Sequence, residues 1–532
     1  LADVKADERL ALWRFSVSTV MGSLGRLESL AVLQIELDRD DLVGVVGRSP
    51  ALKHLALVEC GISDDSMLEI APRLGWCTSL DLSLNCLTDR GVIGLAAAMP
   101  SLVALELVGN DITRRGATAL AERLVKLTSL GLFGVSLPDG DAAAIGENLS
   151  CLQHLSLVQC DLSDDGASAI ARNLPSLVSL DLAANRLTDD GASAIASGLG
   201  NLASLCLAVG EITDSGAQAL ALHLPNLVSL DLGANYLTGI GAASIARNLV
   251  QLRHLDVGWT DVSDDGMVEI AARLRLLRLL RASGCGLSDR SALAIARGLG
   301  ELETLDLASN EVTDIGAVEI ACGLGKLASL HLADNRLTEA SGIAIAESQA
   351  QLVSLDLADS RLSAAAIDAL AENLLNLTEL RLTDVTLSSG SVRSIAGGFP
   401  NLTALDLSGT GLTDSGAEIL AEGRPRLLEL SISQNQLSDD GVTALAMGLR
   451  NLVRFNVQTT EVTDRGVNAI AEHLPNLTAL YLSATGTTDE GLRSIVSLVP
   501  NLTFVAVQQT DVSLKAVRTW ETANSARLRL VT

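Results

Sequence analysis

At 532 residues, with 38 basic against 64 acidic side chains and a formal charge of −26, the chain lacks the basic footprint that phosphate backbones demand, so no nucleic acid is expected as partner. Hydrophobic residues make up 48% of it, yet charges and turn residues break every apolar run well short of the ~20 residues of a spanning helix, so no membrane partner is expected either. The eight cysteines, at 60, 77, 86, 151, 160, 206, 285 and 322, form neither a CxxC pair nor a disulfide framework, which points to reduced thiols in an intracellular compartment.

Residues 1–26 have the apolar spacing of a helix, with Leu10 and Trp13 extending the stripe of Val17, Val20, Met21 and Leu24; an N-terminal capping helix is predicted. From Leu27 onward a frame of 25 residues returns without insertion, and residues 176–200 show it best. Leu177, Leu180 and Leu182 alternate as a short half-buried strand does, and Asn185 and Leu187 turn inward after it. Thr188 and Asp189 then open a helix whose Ala192, Ile195, Ala196 and Leu199 share one face. Strand, turn and helix close one coil of a leucine-rich repeat. The predicted fold is an α/β leucine-rich-repeat solenoid, a horseshoe of about 20 such coils, with a parallel sheet on the concave face and helices on the convex face. It covers 27–524; residues 525–532, with Leu528 to Leu530 resembling a strand, are a tail or the start of a further repeat.

Within the frame, the site of Asn85, Asn185, Asn235, Asn310 and Asn435 wants a small donor that reaches turn backbone, which gives Cys60, Cys160, Cys285 and Thr260 there the same structural role. Gly210 has no such donor, so water or altered geometry is expected at its turn. The Asp-Asp pairs beginning at 64, 164, 189, 264 and 439 read as helix caps.

The residue between each leucine pair points into the concavity. That column runs Asp231, Asp256, Arg281, Asp306, His331, Asp356, Arg381, Asp406, alternating acid and base from Asp256 onward. Two explanations stand: a cross-strand charge ladder worth ~0.2–1 kcal/mol a pair, or a binding patch centred on Trp259 beside His254, Asp256 and Arg281. Arg454, Tyr481 and Phe504, with Asn456, Gln458 and Gln508, make a second, less acidic candidate patch. Cys206 lies between Asp181 and Asp231, a field that raises a thiol pKa. No nucleophile, base and orienting group converge, so no catalytic residue, cofactor or metal is assigned.

The helical segments GATALA from Gly116, GAQALA from Gly216, GASAIA from Gly166 and Gly191, and GVTALA from Gly441 resemble those of bacterial GALA-type leucine-rich-repeat proteins and, more distantly, the ribonuclease-inhibitor class. The resemblance implies an F-box adaptor that delivers host proteins to a ubiquitin ligase after injection by a plant-pathogenic bacterium. Residues 1–26 carry no Leu-Pro-x-Glu opening of an F-box, so that role is expected only with further residues ahead of Leu1. The function expected is a non-enzymatic scaffold whose concave face binds a protein, in the form of a bacterial effector translocated into a host cell. The alternatives are an F-box-type substrate receptor without its adaptor module and a proteinaceous enzyme inhibitor.

Overall fold

The leucine frame forms strands because its alternating leucines have a single face to bury. In a computed structural model, which describes residues 10–13, 28–33, 37, 39–48, 52–423, 426–523 and 529–531, Leu180 at the centre of the strand Ser179–Asp181 and Leu182 just after it are both 1% exposed. The helix Asp189–Gly198 follows, and its Ala192, Ile195 and Ala196 are buried with Leu199 against the same core. Each fully buried leucine or isoleucine contributes about 1.5–3 kcal/mol, so a coil is held chiefly by this small set.

The chain divides into two units, Leu1–Asp261 and Val262–Thr532. Each unit is a leucine-rich-repeat solenoid. In the first, strands run from Leu10–Trp13 and Ser29–Leu33 to Ser229–Asp231 and His254–Asp256, every one parallel to its predecessor, with helices such as Asp164–Asn173 between them. In the second, the same alternation runs from the helix Ser263–Arg273 and the strand Leu279–Arg281 to the helix Leu514–Ala523 and the strand Arg529–Val531. Pairing is in register with the repeat, Leu180 on Leu205 in the first unit and Leu380 on Leu405 in the second.

Leu10–Trp13 is a strand paired with Ser29–Leu33, where the apolar spacing had suggested helix. Leu10 and Trp13 stand at helical spacing, but a four-residue apolar run fits the strand period equally well. The remainder of the expected capping helix lies outside the described residues. Arg529–Val531 pairs with Phe504–Ala506 in the repeat register.

Two polar devices join successive coils. Asn185 Oδ1 accepts from the N–H groups of Cys160 and Leu162 in the preceding coil at 3.0 Å, while its amide donates to the carbonyls of Leu157 and Leu182 at 2.8 Å. The inward asparagine therefore serves the turn before its own. This corrects the expectation at Gly210: its turn is served by Asn235, which accepts from the Ile212 N–H at 3.0 Å. Cys60 and Thr260 close the same site with their own side chains, the thiol donating to the carbonyls of Val32 and Val58 at 3.3 Å and the hydroxyl to Val257 at 2.5 Å.

The second device is a clasp. The cap of the helix at Asp189 is Thr188, whose hydroxyl oxygen accepts from the Asp190 N–H at 3.3 Å. Asp164, at the head of the preceding helix, adds Oδ1 to the Thr188 and Gly191 N–H groups at 2.9 and 3.0 Å and Oδ2 to the Thr188 hydroxyl at 2.6 Å. The first aspartate of each Asp-Asp pair thus caps the next coil's helix, which corrects the local reading. It also explains the glycine that opens GASAIA, because a Cβ on Gly191 would stand 2.4 Å from Asp164 Oδ1. Where Ser291 or Ser341 replaces that glycine, its hydroxyl donates to the aspartate of the coil before.

Candidate functional site

The strands present every second residue to the side away from the core, and that face carries the charged column. Its aspartates are not loose carboxylates. Asp181 and Asp231 in the first unit, and Asp306, Asp356 and Asp406 in the second, each accept the backbone N–H two residues on at 2.9–3.0 Å, which ties off the strand end. Asn456 does the same for Gln458 at 3.1 Å. A local turn requirement accounts for the frequency of acid in this column.

The candidate residues fall in both units. In the first, Asp231 and Asp256 are register partners, and Asp256 accepts the Gly258 N–H at 2.9 Å. His254 is exposed on the same strand, and Trp259 is 64% exposed in a turn at φ 57°. The equivalent turn residues Val209 and Ala234 share that left-handed conformation, a costly one for a bulky side chain. Cys206 donates its S–H to Asp231 Oδ2 at 3.5 Å, and burial, then Asp231 and Asp181, push the thiol well above its ordinary range, away from nucleophilic use. Along the same face, burial and then Asp81 raise the Glu106 carboxyl.

In the second unit the column is in register as expected: Arg281 with Asp306, Asp306 with His331, His331 with Asp356, and Asp356 with Arg381. Arg381 nonetheless makes its ion pair with Glu379 of its own strand, at 2.8 Å. His331 Nε2 bonds the Ser329 hydroxyl at 2.8 Å. The alternation is therefore only partly a ladder. Asp356 is raised by burial despite help from the Ala358 N–H, His331 and Arg381.

Further along this face, Arg454, Asn456 and Tyr481 of the second candidate patch line a recess of about 290 Å³, while Gln458, Phe504 and Gln508 do not. Arg381 and Glu379 form one side, Arg454 and Tyr481 the other, and Ala404, Asp406 and Ser431 lie in the low ground between. The recess exists because alanine and serine sit between strands with long side chains. Tyr481 is held by Phe504, with ring centroids 5.1 Å apart and planes tilted by 45°. Arg454 reaches Glu429 at 3.3 Å, and Asn456 donates to the Ser431 hydroxyl oxygen at 3.1 Å.

Arg381, Arg454 and Tyr481 are thus brought together, with Phe504 behind; Asp306 and His331 are not among the residues lining the recess. Asp406 of the charged column joins them, as do Glu379 and Glu429, which the sequence had not singled out. Among the described residues, no group of three or more His, Cys, Asp or Glu side chains is arranged to hold a metal ion, and no helix is long and apolar enough to cross a membrane.

The family model described as Leucine Rich repeat matches residues 78–96, 98–121, 148–171, 173–196, 251–271, 302–321, 400–421 and 426–446. No curated protein matches the chain in sequence. Among solved structures, an internalin from Listeria monocytogenes strain 4b F2365 is 19% identical with a TM-score of 0.38, over 69% of this chain and 88% of that one. The TLR13–ssRNA13 complex is 19% identical with a TM-score of 0.43, over 96% and 82%. The mouse RP105/MD-1 complex is 19% identical with a TM-score of 0.36, over 95% and 83%. Likeness at this level carries no argument about what the chain binds.

Proposed function

The chain is a leucine-rich-repeat protein, and from that premise we propose that it is a non-enzymatic protein-binding scaffold whose contact with its partner centres on the strand-face recess of the second unit. The observation that carries the reading is the recess itself: a held aromatic, two arginines and three carboxylates around low ground of about 290 Å³. That is the lower end of the ~300–1,000 Å³ usual for small-molecule sites, suited to a side chain from a larger surface. Tyrosine and arginine are also the residues in which binding energy concentrates. The chemistry on the face favours binding over catalysis, since the Cys206 thiol beside paired acids is pushed toward its protonated form.

The finer reading is that the scaffold acts as a bacterial effector on a host protein. The GALA-like helical segments support it. A reducing compartment agrees with the thiols of Cys60 and Cys160, which donate to backbone carbonyls. The test is affinity capture from a plant-cell lysate with three proteins: the wild type, an Arg454→Ala, Tyr481→Ala double variant, and Glu472→Lys on the exposed side of a helix. The reading requires a partner that is retained by wild type and Glu472→Lys and lost by the double variant at equal thermal stability. Equal capture by all three would remove the recess from the function.

A further inference from the structure

Resting on that reading, we propose that the recess receives a basic side chain of the protein partner. The charges decide this. Of the three carboxylates around the recess, Glu379 is engaged by Arg381 at 2.8 Å and by the Ser354 hydroxyl at 3.1 Å, and Glu429 by Arg454 at 3.3 Å. Asp406 is different. Its Oδ1 takes both the N–H and the hydroxyl of Ser408, at 2.9 and 2.5 Å, and Oδ2 has no partner among the described residues. Two ion pairs that close on themselves leave one negative charge on the low ground.

Each other occupant meets an objection. An anion would face Asp406 directly. An apolar side chain would strip water from Oδ2 and return nothing to it. A guanidinium or ammonium supplies the missing donor, and its methylene stem can lie along the tyrosine ring that Phe504 holds in place. Ser431 lies beside Asp406 in register with its hydroxyl already engaged by Asn456 and Ser408, which leaves Asp406 Oδ2 as the acceptor for the incoming cation. The chain's charge of −26 draws such a partner in from solution.

The probe is a pentapeptide, acetyl-Ser-Gly-Arg-Gly-Ser-amide, against its twin with citrulline in place of arginine, titrated into the full chain by calorimetry. Citrulline keeps the shape and loses the charge. The arginine peptide should bind at least tenfold more tightly than its twin to the wild type, and the two should bind alike to Asp406→Asn. That variant should fold, because Asn456 already makes the same bond to backbone from the same column. Equal binding of both peptides to the wild type, binding of neither, or an arginine preference that survives Asp406→Asn overturns the proposal. If the peptides fail while the Arg454→Ala, Tyr481→Ala variant still loses its partner, the scaffold reading stands with a different occupant. If that variant keeps its partner, both readings fall.

Discussion

Asp439 and Gly466 meet across one coil: the glycine N–H donates to Asp439 Oδ1 at 2.9 Å, and a Cβ on Gly466 would stand 2.6 Å from that same oxygen. The glycine is required by its neighbour coil, not by its own backbone. The carboxylate also takes the N–H and hydroxyl of Thr463, at 2.8 and 2.7 Å, and is flanked by Arg465 at 3.2 Å.

Removing the carboxylate with Asp439→Ala strands those donors, so a loss of about 1–3 kcal/mol is expected. Gly466→Ala should cost a similar ~1–3 kcal/mol by overpacking against Asp439 and Val462. Urea unfolding followed by circular dichroism measures both. The double variant should lose less than the sum, since the two residues share one contact.

The clasp also sets an acid response. Burial opposes ionisation of Asp264, Asp314 and Asp439, but hydrogen bonds from the following coil outweigh it and hold all three below the ordinary 3.8. Asp489 is lowered chiefly by the Ser513 N–H and hydroxyl. A depressed folded pKa means stabilisation that is full above the unfolded value near 3.8 and lost as pH falls through the lower folded values. Glu106, Asp181 and Asp356, raised by burial, work in the opposite sense, because protonation relieves them. Asp439→Asn should therefore be less stable at neutral pH and lose less on acidification, seen as a shallower fall of the urea midpoint between roughly pH 4 and 2.

The clasp is interrupted where Ala364 and Ser389 occupy the aspartate's position, and the next caps, Ser388 and Thr413, have no such acceptor among the described residues. Hydrogen exchange should be faster at the Ser388 amide than at the clasped Ser438 amide, which donates to Asp414 at 2.9 Å. Ala364→Asp offers an acceptor to Ser388 and Ser391, and a gain of roughly 0.5–1.5 kcal/mol is expected in the same urea titration.

Asn435 tests the inward asparagine. Its Oδ1 accepts from the Leu412 N–H at 2.8 Å and its amide donates to the carbonyls of Leu407, Ile432 and Ser433 at 2.7, 3.0 and 3.1 Å. Asn435→Ala leaves several buried groups unpaired at once and should cost roughly 2–4 kcal/mol by thermal or urea unfolding.

The coil was legible wherever the signal was local. Leu180, Leu182, Ile195 and Leu199 announce strand and helix by spacing, and all are buried as read. Leu10 to Trp13 was not legible, because so short an apolar run satisfies either period. The clasp hid behind a good local explanation: an acid at a helix start suits the dipole, while the partners of Asp164 stand 24 and 27 residues on. The column aspartates were misleading in the same way, since Asp181 looks like a cross-strand charge and is engaged by the Ala183 N–H. Arg454 and Tyr481 could be read as surface candidates. The recess between them and Arg381 could not, because it is made by the shortness of Ala404 and Ser431 on the two consecutive strands between those of Arg381 and Arg454, a match of side-chain lengths that spacing does not announce.

The most direct measurement of the central claim is site-specific photocrosslinking. Benzoylphenylalanine replaces Tyr481 in one protein and Glu472 in another, and each is irradiated with the captured partner and digested for mass spectrometry. The account predicts an adduct from position 481, within a basic segment of the partner, and none from 472. An adduct from 472 with none from 481 would put the partner on the helices and contradict it.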